Sequence, residues 1–286
     1  MGAATKVVLV TGATGFIGRA TVSALVDAGL QITQGSRSAS EPLTEGVVHL
    51  DLSDPATLLA LAKGPSFDAI VHLGTHVVWS GETESEMFVP NVLSTGCLAY
   101  LATLWGAHLI FASAAIVHGV RNEIIEPDSP ASPDTAYAKS KWLGEQLLAA
   151  SNAKHCVLRI AGVFGCDGPA HLGLNRAIDG AIKGEPPLQI GSGAALRNYV
   201  YVKDVAQAIV FAIQEQLEGT HLLAGHEVMP VSAMLQEICD IFSPGLHPVI
   251  KDGSQAMSQV IKTSASLPKT RGFREALIDI REGCRK

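Results

Sequence analysis

Residues 7–18 read VVLVTGATGFIG, and this stretch decides the fold class. Its first four residues are apolar and mostly β-branched, which predicts a strand covered on both faces. Three glycines follow with the spacing G-x-x-G-x-x-G, and from Arg19 the apolar residues recur at helical intervals. A strand, a glycine turn and a helix in this order predict that the amides of the helix N-terminus bind a pyrophosphate.

Each glycine of this turn has its own expected role. Gly12 permits the tight turn, Gly15 lets the backbone approach the phosphates, and Gly18 allows the helix to pack closely on the strand. A turn that binds no ligand is the alternative interpretation. The strand before it and the helix after it favour the binding interpretation.

Apolar runs and helical patterns alternate along the first 165 residues. The predicted strands are 6–10, 30–35, 47–50, 69–73, 108–113 and 155–160, and the predicted helices are 16–28, 55–63, 91–105 and 136–151. This alternation predicts an α/β protein of the Rossmann type, in which helices cover both faces of a doubly wound parallel sheet. After Gly165 the rhythm changes to a loop, a helical stretch at 172–183 and a break at 184–187.

The composition narrows the class of protein. The chain has 286 residues, 47% of them hydrophobic, and a net charge of −6, so it can bury a large core, and nucleic acid is not an expected partner. Five scattered cysteines without C-x-x-C spacing argue against a disulfide framework and against a zinc site, and no metal is predicted. No membrane span or secretory signal is recognised, so we expect a cytoplasmic protein.

Residues 137–141 read YAKSK and carry the expected chemistry. Tyr137 and Lys141 are four residues apart and share one face of a helix, so the ammonium can stand near the phenol. A neighbouring cation favours the phenolate and is expected to lower the pKa of Tyr137 from its usual value of about 10. Tyr137 would then act as a general acid or base, although the same spacing alone is more typical of a solvated helix.

Taken in order, these motifs resemble those of the extended short-chain dehydrogenases/reductases, the NAD(P)-dependent epimerase/dehydratase family. Further matches are DLS at 51–53, VHLGT at 71–75, NV at 91–92, FASAAIVHG at 111–119, LR through VFG at 158–165, and RNYVYVKDVA at 197–206. The resemblance implies an NAD(P)-binding Rossmann domain formed by residues 1–165, to which 197–224 return. It also implies a small C-terminal substrate-binding cap formed by 166–196 and 225–286.

The resemblance also implies a set of cofactor contacts. The residues expected to contact NAD(P) are Gly12, Thr14, Gly15, Phe16, Ile17, Gly18, Ser36, Arg37, Asp51, Leu52, Leu73, Gly74, Thr75, Tyr137, Lys141 and Val163. Asp51 would accept a hydrogen bond from the adenine amino group, with Leu52 against the ring. A cap at the end of a strand is the structural alternative for Asp51.

Residues 35–37 bear on which dinucleotide binds. A fold selective for NAD usually ends its second strand with an acidic residue, whereas this chain has Gly35-Ser36-Arg37. Ser36 can donate a hydrogen bond to a 2′-phosphate and Arg37 can pair with it, so NADP is favoured over NAD. The alternative is an arginine that stacks on the adenine without selecting between the two cofactors.

The chain departs from the family at the end of the fifth predicted strand. Counting back from Gly119, the position of the family's catalytic Ser or Thr falls on Ala114. Ser113 is the nearest substitute, but successive strand residues point to opposite faces, so it takes over only if the strand twists or bulges. Ala115 and Ile116 occupy the places where related 4,6-dehydratases carry an acidic pair, which disfavours a dehydratase.

By resemblance, the reaction is hydride transfer at a keto or hydroxyl carbon of a nucleotide-linked sugar, as a 4-keto reductase or a 4-epimerase. Tyr137, Lys141 and Ser113 form the predicted catalytic set. In this interpretation Tyr137 exchanges a proton with the substrate oxygen, while Lys141 tunes Tyr137 and binds the nicotinamide ribose. A catalytically weak NADP-binding sensor or scaffold, and a reductase of a small non-nucleotide ketone, are the alternatives.

The expected partners are a nucleotide sugar and a second copy of the chain. By resemblance, Arg197 and Asn175 contact the diphosphate, and a surface or salt-bridging role is the alternative for Arg197. His76 lies on a loop expected to flank the pocket, where it could serve in substrate protonation, although a lone loop histidine is more often incidental. A second diphosphate arginine has no clear counterpart, although Arg271, Arg274 and Arg281 are available. Family members commonly dimerise through the helices that correspond to 91–105 and 136–151. A homodimer is therefore expected.

Overall fold

The computed structural model describes residues 5–38, 46–78, 83–254 and 256–283. Cys284 lies outside these ranges, and the other four cysteines are free thiols. The chain divides into two compact units. The first draws on residues 1–119, 130–159 and 206–221, and the second on residues 120–129, 160–205 and 222–286.

A seven-stranded sheet forms the centre of the first unit. Its strands are β1 (Val7–Thr11), β2 (Gln31–Ser36), β3 (Val47–His49), β4 (Ala69–His72), β5 (His108–Ala114), β7 (His155–Ile160) and β12 (Gly219–Leu223). They lie in the order β12-β7-β5-β4-β1-β2-β3, and β1, β2, β3, β4 and β5 run parallel. The predicted Rossmann fold is confirmed, and each predicted strand agrees within one residue at either end. The order reverses between β1 and β4, which is where ligands bind in open sheets of this kind.

Among the described residues up to 150, the first unit has four α-helices, and three of their ends carry a cap that the sequence provides. They are α1 (Phe16–Asp27), α2 (Pro55–Ala60), α3 (Ser94–Trp105) and α4 (Ala136–Ala149). The Asp54 carboxylate accepts from the amide of Ala56 at the start of α2, and the Thr135 hydroxyl accepts from the amide of Ala138 at the start of α4. Gly106 ends α3 in the left-handed conformation, with φ of 64°.

A five-residue π-helical turn, Val89–Leu93, leads into α3 and contains Asn91. Together with α3 and the short 3₁₀ turn Glu84–Met87, this turn forms one helical stretch, Glu84–Trp105, that is long and apolar enough to cross a membrane by length and composition alone. This corrects the expectation that the chain has no such stretch. The most apolar window of the stretch is 56% buried inside the protein, and Leu98 and Leu101 are fully buried in the hydrophobic core.

The second unit consists of short two-stranded pairs and helices. Its strands are β6 (Ile124–Ile125), β8 (Val163–Phe164), β9 (Leu188–Ile190), β10 (Leu196–Arg197), β11 (Val200–Tyr201), β13 (Met229–Pro230), β14 (Val249–Lys251) and β15 (Val260–Ile261). Its helices are α5 (Gly173–Ile182), α7 (Val231–Phe242), α8 (Phe273–Gly283) and the first residues of α6 (Val202–Gln214). The pairs β8–β11, β9–β14 and β6–β15 are parallel, and β10–β13 is antiparallel.

The boundaries of the two units differ from the boundaries that the sequence suggested. Residues 160–165 belong to the second unit, because β8 pairs with β11 rather than with the central sheet. Residues 120–129 belong there as well, because β6 pairs with β15. Strands of two residues are too short to show in a hydrophobic pattern, and neither pair could therefore be recognised from the sequence.

Candidate active site

The turn between β1 and α1 has the shape that its glycines predicted. Gly12 has φ of +69°, and a Cβ added to it would stand 2.6 Å from the amide nitrogen of Gly74. A Cβ on Gly18 would stand 2.0 Å from the carbonyl oxygen of Gly12. Both positions therefore require glycine, one because the turn touches the loop after β4 and the other because α1 packs on the turn.

The N-terminus of α1 is suited to an anionic ligand. No side chain caps the helix at Gly15, so its first amides are left to another acceptor. Thr14 and Gly15 are exposed, and Phe16 and Ile17 are partly exposed. Uncapped amides at an accessible helix N-terminus bind phosphate groups, so these residues fit the pyrophosphate of NAD(P).

The ends of β2 and β3 carry the residues expected near the adenosine. Arg37 is exposed just beyond β2, and the Ser36 oxygen accepts from the amide of Ser38 at 3.2 Å, which leaves the Ser36 proton for another acceptor. One carboxylate oxygen of Asp51 accepts from the amide of Ser53 at 2.9 Å. Leu52 packs against the core. Asp51 thus makes the strand-end contact proposed as its structural alternative, and its contact with adenine stays a prediction.

The loop after β4 is held by a buried asparagine. Asn91 accepts at Oδ1 from the amide of His76 at 2.7 Å and from the hydroxyl of Thr75 at 3.2 Å. Its Nδ2 donates to the carbonyl of His76 at 2.8 Å and to the hydroxyl of Ser140 at 3.1 Å. Since Ser140 lies on α4, we call these contacts of Asn91 the clamp between the β4 loop and α4.

Tyr137 and Lys141 occupy the first two turns of α4, on one face, as predicted. Lys141 is buried, and its ammonium donates to the carbonyl of Ala112 on β5 at 2.9 Å. The same nitrogen lies 4.9 Å from the centre of the Phe111 ring and 6.0 Å from the centre of the Tyr137 ring. The Lys141 ammonium therefore lies between β5 and the Tyr137 ring.

The pKa of Tyr137 corrects the sequence prediction. Burial raises it to about 12, and a hydrogen bond with Thr75 opposes the rise only in part. Burial also lowers the pKa of Lys141 to about 8, against the opposing effect of Glu145. Since desolvation outweighs the attraction between phenolate and ammonium, the phenol of Tyr137 is neutral at neutral pH.

Ser113 is engaged in a buried ionic group. Its hydroxyl donates to Oε1 of Glu145 at 2.5 Å, and Arg159 binds the same carboxylate through Nε and Nη2, the latter at 2.7 Å. Arg159 also donates through Nη1 to His118 at 3.1 Å. This geometry runs against the prediction that Ser113 replaces the hydroxyl missing at Ala114, because the Ser113 proton is already given to Glu145.

A neutral histidine stands behind the site. His72 is fully buried, and burial, with a smaller contribution from Lys141, lowers its pKa to about 3. Because the Thr95 hydroxyl donates to the carbonyl of Asn91, it can only accept from Nε2 of His72. Nδ1 therefore accepts from Thr11, whose oxygen in turn accepts from the amide of Gly74. This chain of bonds ties β1, β4 and α3 together beneath the glycine turn.

Comparison with known proteins agrees with this geometry. The NAD dependent epimerase/dehydratase family matches residues 8–225, that is 218 of the 286 residues. The chain belongs to this family.

Several known proteins resemble the chain over most of its length. A UDP-glucose 4-epimerase of Azospirillum brasilense is 29% identical over 254 residues, which cover 76% of this chain and 71% of that protein. The structure of a Thermus thermophilus UDP-glucose 4-epimerase with NAD has a TM-score of 0.80 at 24% identity, covering 98% of this chain and 99% of that one. A dTDP-4-dehydrorhamnose reductase of Bacillus anthracis str. Ames with NADP has a TM-score of 0.83 at 17% identity, covering 99% and 100%.

The epimerase/dehydratase resemblance also predicted contacts in the second unit. The side-chain oxygen of Asn175 accepts from the amide of Gly165 at 3.0 Å, and its nitrogen donates to the carbonyl of Val163 at 3.2 Å. Arg197 donates through Nη1 to the carbonyls of Leu196 and Met257, at 2.9 and 2.6 Å. The structure therefore gives both side chains a role in holding the backbone. Their predicted contact with a diphosphate stays a prediction.

The arginines considered for a second diphosphate contact of the epimerase/dehydratase type have acidic or backbone partners. Arg271 lies 3.1 Å from Asp204, and Arg274 lies 3.3 Å from Glu237. Arg281 donates to the carbonyl of Ile241 at 3.4 Å. Arg271 and Arg274 line a cavity of about 520 Å³ within the second unit, whose other lining residues carry both signs of charge, Lys269 with Glu227 and Glu275 among them.

Sequence reasoning about this family member missed the residues that support Tyr137. Glu145 follows Lys141 by four residues, so helical spacing alone could have placed it on the same face. The link from Thr75 to the phenol and the clamp made by Asn91 join residues far apart in the sequence. No local sequence pattern predicts these contacts.

Proposed function

We propose that the protein transfers hydride between NAD(P) and a keto or hydroxyl carbon of a nucleotide-linked sugar, as a 4-keto reductase or a 4-epimerase. The observation that carries this proposal is the position of Tyr137 and Lys141. Both lie on the first turns of α4 at the carboxyl end of β5, in the unit that holds the uncapped glycine turn. The nucleotide sugar is proposed because the relatives include a UDP-glucose 4-epimerase and a dTDP-4-dehydrorhamnose reductase.

The bound dinucleotide would supply or accept the hydride. The glycine turn would bind its pyrophosphate, and Lys141 would lie toward its ribose. Tyr137, kept neutral by burial, would give its proton to the substrate oxygen when a ketone is reduced. In the opposite direction Tyr137 must first ionise, and the ammonium of Lys141 and the N-terminus of α4 favour that state.

Two observations support a reductase or epimerase over a 4,6-dehydratase. Ala115 is buried and has no ionisable group, and Ile116 follows it in a short 3₁₀ turn, Ala115–His118. Neither side chain can protonate a leaving hydroxyl or remove a carbon-bound proton. The ionisable group nearest in sequence, His118, is fully buried and bonded to Arg159.

The test is turnover by the purified protein with matched tyrosine variants. Oxidation of NADPH or NADH would be followed with dTDP- and UDP-linked 4-keto sugars, and epimerisation of UDP-glucose would be followed by NMR with NAD. Tyr137→Phe should lower kcat by about 10²-fold or more, because it removes the general acid. Tyr100→Phe, on an exposed side chain of α3, should leave kcat unchanged.

A second candidate function is a dinucleotide-binding protein with little catalysis, such as a sensor or scaffold. It is favoured by Ala114 together with the engagement of Ser113 by Glu145. Tight binding of NADPH without turnover on any substrate of the panel would support it. A wild-type rate in Tyr137→Phe would contradict the catalytic proposal outright.

We also propose NADP as the preferred cofactor. The exposed Arg37 and the Ser36 hydroxyl, which has no acceptor for its proton among the described residues, lie at the end of β2 and suit a 2′-phosphate. Arg37→Ala should weaken NADPH binding about tenfold or more and leave NADH binding unchanged, as measured by fluorescence titration. Equal weakening of both cofactors would indicate the stacking role instead.

A homodimer through α3 and α4 is proposed from the surface of these helices. Leu98 and Leu101 point into the core, which leaves other apolar side chains on the outside. Those exposed by more than a third are Leu93, Tyr100, Leu104, Leu143 and Leu147. Leu104→Glu should convert a dimer into a monomer in light scattering, while Leu59→Glu, on the exposed side of α2, should not.

A further inference from the structure

The hydroxyl that Ala114 lacks is not supplied by its neighbour on the same strand. The Ser113 hydroxyl is buried and donates to Glu145, which Arg159 also binds. Reaching the other face of β5 would break that bond and leave the carboxylate short of a donor. A partner for the phenol must therefore come from another strand.

The loop that follows β4, the strand next to β5, carries the hydroxyl of Thr75. β4 and β5 are parallel, with Ala69 opposite His108 and His72 opposite Phe111. Thr75 follows the last residue of β4 by three residues, and Ala114 follows Phe111 by three and ends β5. The carboxyl ends of adjacent parallel strands meet at one edge of the sheet, so a side chain at 75 can serve the space beside 114.

The clamp fixes Thr75 relative to Tyr137. Asn91 binds the Thr75 hydroxyl and the backbone of His76 on one side, and the Ser140 hydroxyl on the other. Ser140 in turn donates to the carbonyl of Tyr137 at 2.8 Å. The loop that carries Thr75 and the helix turn that carries Tyr137 are thus joined through one buried amide. Across this junction the Thr75 hydroxyl lowers the pKa of the Tyr137 phenol, against the larger effect of burial.

We propose that Thr75 is the positioning residue of the reaction, and that its hydroxyl takes the part of the one missing at Ala114. The inference rests on the function proposed above. While the phenol is neutral, the Thr75 hydroxyl donates to Asn91. Once Tyr137 has given its proton to the substrate, the Thr75 proton turns to the phenolate. Asn91 keeps the amide of His76 as a donor, so no buried acceptor is left without a partner.

The test compares three variants. Thr75→Val keeps the shape and removes the hydroxyl, Thr75→Ser keeps the hydroxyl, and Thr75→Val with Ala114→Ser moves the hydroxyl to the neighbouring strand. We expect kcat to fall about tenfold in Thr75→Val, since a hydrogen bond to a charged group is lost, with KM little changed. Thr75→Ser should match the wild type, and the double variant should recover most of the loss.

A readout that needs no turnover separates this inference from the proposed function. The four tyrosines are replaced biosynthetically by 3,5-difluorotyrosine, whose phenol is more acidic, and the ¹⁹F resonance absent from Tyr137→Phe is followed against pH. Thr75→Val should raise the titration midpoint of residue 137 by about one pH unit, and Thr75→Ser should not move it.

The outcomes are distinct. An unchanged midpoint in Thr75→Val, or equal shifts in the Val and Ser variants, would overturn the role of Thr75 even if the enzyme turns over. A raised midpoint in Thr75→Val alone, without turnover of any nucleotide sugar by the wild type, would support the role of Thr75 and overturn the proposed function.

Discussion

The carboxyl ends of β1 and β5, two parallel strands of the first unit, are stabilised by different kinds of contact. The turn after β1 is almost bare backbone, because Gly12 and Gly18 leave no room for side chains. At the end of β5 the buried Glu145 carboxylate is bound by the buried Ser113 hydroxyl and by the partly buried Arg159 guanidinium. The glycine turn depends on the space available to its backbone, whereas the end of β5 depends on the pairing of buried charges. Substitutions in the glycine turn and at the end of β5 should therefore destabilise the protein for different physical reasons.

The largest effect is expected where buried charge is left unpaired. Glu145→Gln removes the carboxylate that Arg159 binds, and we expect the free energy of unfolding to fall by about 3–5 kcal/mol. Urea denaturation would measure it. The exposed pair Lys183–Asp179 supplies the control, since Asp179→Asn should cause no measurable change. Equal effects of the two substitutions would show that the charge behind β5 is not structural.

The next effect depends on pH. The pKa of Lys141 is lowered to about 8 in the folded protein, so between about pH 8 and pH 10.5 the unfolded chain holds a proton that the folded chain has released. Lys141 should therefore contribute on the order of 3 kcal/mol to a rise in the free energy of unfolding across this window. This contribution is measured as the difference between the wild type and Lys141→Met, because burial raises the pKa of the Cys156 thiol and acts in the opposite direction above about pH 9. Lys141→Met should abolish this rise, and Lys139→Met, on the exposed face of α4, should retain it. A rise that persists in Lys141→Met would assign it to another group.

The stability of the glycine turn should depend on side-chain volume rather than on pH. In Gly18→Ala the new methyl would meet the carbonyl oxygen of Gly12 at 2.0 Å, so the backbone must move. We expect a loss of about 1–3 kcal/mol in stability, independent of pH, together with weaker dinucleotide binding in calorimetry. Gly173→Ala at the start of α5, where a Cβ would meet nothing within 4 Å, is the matched control. Wild-type affinity in Gly18→Ala would contradict the close-packed turn.

The smallest effect is expected at Ser113. Ser113→Ala removes one donor from a carboxylate that keeps its bonds to Arg159, so stability should fall by about 1–2 kcal/mol. Because the Ser113 hydroxyl faces Glu145, kcat should remain close to the wild-type value. A large fall in kcat with unchanged stability would restore Ser113 to the catalytic set and weaken the assignment of that role to Thr75.

The difference between the two places also explains what could be predicted from sequence. The glycine turn, the strands and the first turns of α4 follow local spacing, and the structure confirms their positions. The pKa of Tyr137 and the orientation of Ser113 depend on burial and on a partner 32 residues away, which no local pattern contains. The two-residue strands of the second unit were invisible for the same reason, because their partners are distant.

The π-helical turn before α3 has a consequence for insertions and deletions. A π-helical turn holds one residue more than an α-helical turn. Deleting one residue from Val89–Leu93 would yield a regular helix and rotate Asn91 by about 100° about the axis. Its amide would then face away from His76 and Ser140. A chain one residue shorter at this turn would form a more regular helix but would lose the hydrogen bonds of Asn91. The number of residues in the turn is therefore constrained by the orientation of Asn91 rather than by helical stability.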